Sequence, residues 1–148
     1  MAPPTTSHNN SLATLNLYRA LNKRFYDAQT RKVSPDAYLC RAGNDFNGLS
    51  VRFSVEEHIR NRRLFKWHGI GELPANAIEE LGLQLDQDKE DHANIKGIPR
   101  KPMLRSVDEM KDNFAEYRDR LIYDDARAEY LAGELARRST LVHEWTGD

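Results

Sequence analysis

The chain has little that would announce a function. Cys40 is its single cysteine, so no internal disulfide can form, and a reducing compartment is the simple expectation. No apolar run approaches the ~20 residues of a membrane-spanning helix. Lys and Arg number 22 against 23 Asp and Glu, a net charge of -1, so no global field draws in nucleic acid or an anionic membrane. Met1–Ala13 contains no Lys or Arg and no apolar core, which argues against a secretory signal. Pro3, Pro4, Thr5, Thr6, Ser7, Asn9 and Asn10 make residues 1–13 a polar segment, expected to be disordered. A cytoplasmic protein with no membrane partner follows as the expectation.

The short motifs of common chemistries are missing as well. No serine stands in a Gly-x-Ser-x-Gly elbow, and there is no phosphate loop, His-Glu-x-x-His or Cys-x-x-Cys. Gly69-Ile70-Gly71 lacks the third glycine and the preceding long apolar strand of a dinucleotide fingerprint. Asp86, Asp88, Glu90 and Asp91 begin like a calcium loop. Position six is Asp91 instead of Gly, and position twelve is Gly97 instead of Glu, so no metal site is assigned.

What is present is a set of short elements. The 148 residues, 39% of them hydrophobic, suffice for one modest core, expected over residues 14–148. The clearest stretch is Gly48-Leu-Ser-Val-Arg-Phe-Ser-Val-Glu-Glu. Leu49, Val51 and Phe53 alternate with Ser50 and Arg52, the period of a half-buried strand. Ser54 and Glu57 then have the spacing of a capping box, so a helix should begin at Val55 and run to about Phe65. Val55, Ile59 and Arg63 would share its inner face.

Other strands are expected at Thr14–Leu21, Ala37–Cys40, Trp67–Leu73, Leu83–Asp86, His92–Gly97 and Thr140–Trp145. The residues from Asp86 to Asp91 read as an acidic loop. Further helices are expected at Ala75–Leu81, at Val107–Ile122, and over a last segment capped by Asp124 or Asp125. In that last segment Ala128, Leu131, Ala132 and Leu135 form an apolar stripe. The sum is an α+β protein, a short-stranded mixed or antiparallel sheet packed by three to four helices.

Four residues stand out as ligand candidates. Arg19 shares the face of Leu17 and Leu21 on the first strand, where an arginine needs a partner, either a group of the protein itself or an anionic ligand. Ser50 lies on the polar face of its strand. His92 and Asn94 share a face opposite Ala93 and could bind a small polar ligand or orient a water. Arg60, Arg62, Arg63 and Lys66, flanked by Phe65 and Trp67, look like a nucleic-acid patch in miniature. A solvated helix face accounts for them better, because the chain as a whole is not basic.

Leu17-Tyr-Arg, Gly48-Leu-Ser-Val, His92-Ala-Asn-Ile-Lys-Gly, and Ala128-Glu-Tyr-Leu-Ala before Ser139-Thr-Leu-Val together resemble a group of small, poorly characterised bacterial α+β proteins. That resemblance spans most of the chain past residue 14 and implies no particular activity. Arg19 on a first strand followed by Ser50 (or Ser34) looks like the opening of an ADP-ribosyltransferase. The likeness implies an arginine and a serine that help hold NAD and a glutamate on a late strand, for which Glu144 is the candidate.

Two functional expectations follow. The first is a cytoplasmic bacterial module that docks another protein without catalysis, through the helix surface carrying Glu116 and Arg120, with homo-oligomerisation left open. The alternative is a nucleotide-binding enzyme or sensor, with NAD as cofactor, in which Arg19 pairs the pyrophosphate and His92 and Asn94 contact the ribose or base. Convergence of Arg19, Ser50 and His92 in one cleft would discriminate in favour of the second.

Overall fold

A computed structural model describes residues 15–39, 48–99 and 114–146, with side chains in the last segment from residue 126 onward. Its centre is a six-stranded sheet whose paired strands are all antiparallel. The strands are β1 (Asn16–Leu21), β4 (Leu49–Arg52), β5 (Gly69–Pro74), β6 (Gln84–Lys89), β7 (His92–Lys96) and β8 (Thr140–Glu144), in the order β6-β7-β4-β1-β5-β8. A two-stranded ribbon, β2 (Tyr26–Asp27) with β3 (Lys32–Val33), lies beside β8. At its turn Arg31, with φ 58°, accepts a hydrogen bond from Leu141 N, and its Nη1 donates to Leu141 O. The fold is therefore α+β, as expected, with an antiparallel sheet.

Side-chain alternation divides the sheet into two faces. Leu17 and Leu21, Leu49 and Val51, Ala93 and Ile95 are buried on one face. They meet α3 (Phe114–Arg137), whose Ala128, Leu131, Ala132, Leu135 and Ala136 are buried in the same cluster. Burial of each leucine is worth about 1.5–3 kcal/mol. Tyr38 is fully buried there, and its hydroxyl lies 2.7 Å from Ser139 Oγ. Ser139 Oγ itself donates to Leu135 O at 2.8 Å, so Tyr38 must be the donor in their bond.

Two glycines are required by their surroundings. Gly48 has φ +100°, and a Cβ there would stand 2.3 Å from Ile95 O. The backbone of β4 can thus enter the ladder beside β7 only with glycine two residues before Ser50. At Gly69 a Cβ would meet the Tyr26 ring at 2.7 Å, so the missing side chain makes the seat for that ring.

The helices differ from expectation. Besides α3 there are only α1 (Val55–Arg60) and α2 (Asn76–Glu80) among the described residues, so the helical complement is smaller than expected. Ser54 caps α1, accepting from Glu57 N at 3.2 Å. The reciprocal half of the box is absent, because the Glu57 carboxylate instead receives Arg60 Nη1. The helix then stops at Arg60 and turns, and its buried side chain is His58, whereas Ile59 is 41% exposed. The two expected C-terminal helices are one. The helix runs unbroken through Asp124 and Asp125, because neither carboxylate falls where a helix must begin. Pro35–Tyr38 forms a 3₁₀ helix where a strand was expected at Ala37–Cys40, since Ser34 accepts from Asp36 N and Pro35 suits a first helical turn. The acidic stretch is mostly strand: β6 continues to Lys89 and only Glu90 and Asp91 turn.

Several expectations fall outside the described residues: the segment 1–13, Cys40, the start of the helix expected from Val107, and the side chains of Glu116 and Arg120. No described helix is long and apolar enough to cross a membrane.

Candidate functional site

The face of the sheet turned away from α3 carries the polar residues of β4 and β7. Ser50 pairs with Asn94 and Arg52 pairs with His92. Ser50 and His92 are therefore diagonal neighbours on one face, within reach of an imidazole. His92 Nε2 lies 2.5 Å from Ser50 Oγ, and its Nδ1 lies 2.6 Å from Asp88 Oδ1.

Asp88 follows Asp86 on this face of β6, and an irregularity there brings Lys89 to the same face. The register runs Asp86 opposite Asn94, Gln87 opposite Ala93, then Lys89 opposite His92, so Asp88 is an extra residue in a β-bulge. Two consecutive residues, Asp88 and Lys89, are thereby presented to His92 instead of alternating between faces. Asn94 Nδ2 reaches the other carboxylate oxygen, Asp88 Oδ2, at 3.4 Å.

The electrostatics fix the proton positions. The hydrogen bond from His92 holds the Asp88 carboxyl below its ordinary pKa, so it is ionised and can only accept. His92 Nδ1 then carries the hydrogen of that bond. In the neutral ring Nε2 is left as an acceptor, and Ser50 Oγ–H is its donor. A serine hydroxyl bonded to a histidine that is oriented by a carboxylate is the arrangement that activates a nucleophile.

Ser50 and His92 wall a cavity of about 310 Å³. Arg52, His58, Phe65, Trp67 and Lys89 also line it, and no Asp or Glu is among the lining side chains. Arg52 is neutralised by Asp91, with Nη1 to Oδ2 at 2.8 Å. His58 anchors α1 over β1. Its Nε2 lies 2.8 Å from Tyr18 O, which can only accept, so Nε2 is the protonated nitrogen. Burial pushes the His58 pKa down, against the raising effect of that bond. Its own carbonyl accepts from Trp67 Nε1 at 2.9 Å. Phe65 is 64% exposed at the cavity mouth.

Arg19 also contributes to the cavity wall, but its guanidinium is engaged. Nε donates to Ala37 O at 2.6 Å and Nη1 to Ser50 O at 2.8 Å, with Cζ 5.8 Å from the Tyr38 ring. β1 and β4 share a single register pair, Tyr18 opposite Arg52. Beyond it the guanidinium supplies the donor that a paired strand would have given Ser50.

Arg19, Ser50 and His92 therefore border one cavity, and Asn94 joins them through Asp88. Ser34 and Glu144 do not. Ser34 caps the 3₁₀ helix, and Glu144 lies in β8, three strands from β4, where its Oε2 accepts from Tyr26 OH at 3.2 Å. Of the basic run that begins at the end of α1, Arg60 pairs with Glu57, and Arg62 is buried between Trp145 and Trp67, its Cζ 4.5 and 5.5 Å from their rings. A larger cavity, about 860 Å³, lies at the other end of the sheet, walled by Leu15, Phe53, Ile78, Leu83 and Leu85 with neither Ser50 nor His92 in it.

Asp88 and Lys89 are the residues that reading the sequence missed. The signal was the acidic stretch ending at Asp91, immediately before His92. Taken as a loop it placed no side chain, whereas a two-residue turn at Glu90-Asp91 returns the chain on itself. Compared with protein-family models, curated proteins and solved structures, the chain finds no match.

Proposed function

We propose that the chain is an ester hydrolase with Ser50 as nucleophile, His92 as general base and Asp88 as the group that orients His92. The observation carrying this reading is the continuous hydrogen-bonded series from Ser50 Oγ through His92 to Asp88, at 2.5 and 2.6 Å.

In this reading Ser50 Oγ bonds to the ester carbonyl carbon as its proton passes to His92 Nε2. The carbonyl π electrons move to oxygen, and Asp88 steadies the imidazolium through Nδ1–H. Collapse of the tetrahedral adduct breaks the bond to the alcohol oxygen, which takes the proton from Nε2 and leaves. Water then attacks the acyl-Ser50 carbonyl and gives a proton to His92. His92 returns that proton to Ser50 Oγ as the acid departs. The cationic wall around Ser50 favours the negative oxygen of each adduct.

The test is phosphonylation of Ser50 by a fluorophosphonate, read by intact mass, together with hydrolysis of phenyl acetate. Wild type should acquire one phosphonyl group and turn over the ester, and Ser50→Ala should do neither. Wild type indistinguishable from Ser50→Ala in both assays would sink the proposal.

The convergence of Arg19, Ser50 and His92 on one cavity also favours a second reading, an NAD-type nucleotide held on this face. A nucleotide at about 100 times its dissociation constant would stabilise the fold by roughly 2.7 kcal/mol. A panel of thermal unfolding curves that includes NAD, with no midpoint moving, would remove that reading. Docking of a protein partner through Glu116 and Arg120 is a separate proposal. Loss of a co-purifying partner on charge reversal there tests it.

A further inference from the structure

We infer that the ester cleaved at Ser50 has an anionic leaving group, an alcohol or phenol bearing a carboxylate or phosphate, and that Lys89 recognises it. The inference rests on the hydrolase reading above and adds to it the class of substrate.

Three observations point the same way. First, the charges of the cavity wall are unevenly matched. Arg52 has Asp91 and His92 has Asp88, each at hydrogen-bond distance. Lys89 Nζ has no ion pair among the described residues, and no carboxylate side chain lines the cavity to meet it. A cation without a counter-charge beside a walled cavity attracts an anion more strongly than one in open water.

Second, the bulge in β6 places that cation at a particular end of the reaction. Lys89 is the register partner of His92. His92 Nε2, which hands a proton to the departing alcohol, faces Ser50, so the leaving group departs into the cavity that Ser50 and His92 border, and Lys89 lines that same cavity. Had β6 continued without the bulge, alternation would have turned Lys89 to the opposite face. The irregularity therefore adds the recognising ammonium to the face that already carries the orienting carboxylate.

Third, the exposed ring of Phe65 and the buried ring of Trp67 line the same cavity. An apolar wall beside a cation suits an organic anion with a flat or apolar body better than a small inorganic one.

The test compares two acetyl esters that differ only in charge at the leaving group, para-acetoxybenzoate and neutral para-acetoxybenzamide. The readout is kcat/KM divided by the spontaneous hydrolysis rate of each. Wild type should prefer the benzoate by about fivefold to tenfold, the span expected of one charge-assisted contact near the surface. Lys89→Arg should keep the preference, Lys89→Met should abolish it and Lys89→Glu should reverse it. The wild-type preference should also shrink at about 0.5 M salt. The same ratio in wild type and Lys89→Glu overturns the assignment.

A chain that is neither phosphonylated nor active on either ester loses the hydrolase reading alone. The anion site is then decided by calorimetry with the uncleaved amides para-acetamidobenzoate and para-acetamidobenzamide. Tighter binding of the benzoate, lost in Lys89→Glu, supports the site, and equal binding overturns it.

Discussion

Arg19 Nη1 donates to the main-chain carbonyl of Ser50 at 2.8 Å, across the gap where β1 and β4 part. The side chain that looked like a ligand-binding cation is a brace for the backbone that carries the hydroxyl. Removing it leaves the carbonyls of Ala37 and Ser50 without these donors. Arg19→Met should destabilise the fold by about 2–3 kcal/mol in urea unfolding, the range for lost hydrogen bonds to a charged group. If Ser50 is the nucleophile, kcat should fall about tenfold or more, since a displacement of about 1 Å can cost that much. Unchanged kcat alongside lost stability would restrict Arg19 to a structural role.

Asp88→Asn separates orientation from charge. An amide at this position can donate to His92 Nδ1, which would move the ring hydrogen to Nε2 and remove the acceptor for Ser50. Ester hydrolysis should drop by about 10³-fold or more, the scale known for the wrong tautomer in such arrays. The melting temperature should change little, because Asp88 is on the surface. An Asp88→Asn variant with wild-type turnover would mean that the carboxylate has no part in the chemistry.

His58 predicts how stability depends on pH. Burial lowers its folded pKa from the ordinary value of 6.5, with smaller lowering effects from Arg52 and Arg19 and raising ones from Tyr18 O and Asp91. Below about pH 6.5 the unfolded chain therefore binds a proton that the folded chain refuses. Stability should fall as pH falls, by up to about 1.4 kcal/mol per pH unit from this residue. His58→Gln keeps a donor for Tyr18 O and does not titrate. Its unfolding free energy between about pH 5 and 6.5 should show a shallower slope than wild type. Identical slopes would exclude His58 as the source.

Tyr38→Phe removes a hydroxyl that donates to Ser139 Oγ inside the core, while Ser139 keeps its bond to Leu135 O. The expected loss is about 1 kcal/mol. Leu135→Ala, in the same cluster, should cost about 2–5 kcal/mol, because it removes side-chain volume as well. Denaturant midpoints of the two variants should fall in that order.

What could be read from the sequence was local. The alternation at Leu49 and Val51, the Ser54 cap, and the shared face of His92 and Asn94 depend on neighbours within a few residues, and the structure has all of them, with Phe53 just past the end of β4. The stripe at Ala128, Leu131, Ala132 and Leu135 was equally visible from its spacing. Less visible were features set by distant parts of the chain. Arg19 meets Ala37 and Ser50 across 18 and 31 residues. The bulge that turns Lys89 toward His92 is a property of the pairing of two strands, and nothing in Gln87-Asp88-Lys89 alone marks it. The length of α3 was misjudged for a related reason: a carboxylate such as Asp124 caps a helix only where the backbone has already left helical geometry.

The two tryptophans of the chain, Trp67 and Trp145, meet edge to face 5.7 Å apart, with Arg62 beside both rings. Because Trp67 also borders the Ser50 cavity, the intrinsic fluorescence of the protein comes from one place, next to the candidate site. Emission therefore reports the docking of the C-terminal strand when the chain is unfolded, and it offers a label-free signal for any molecule that enters the cavity.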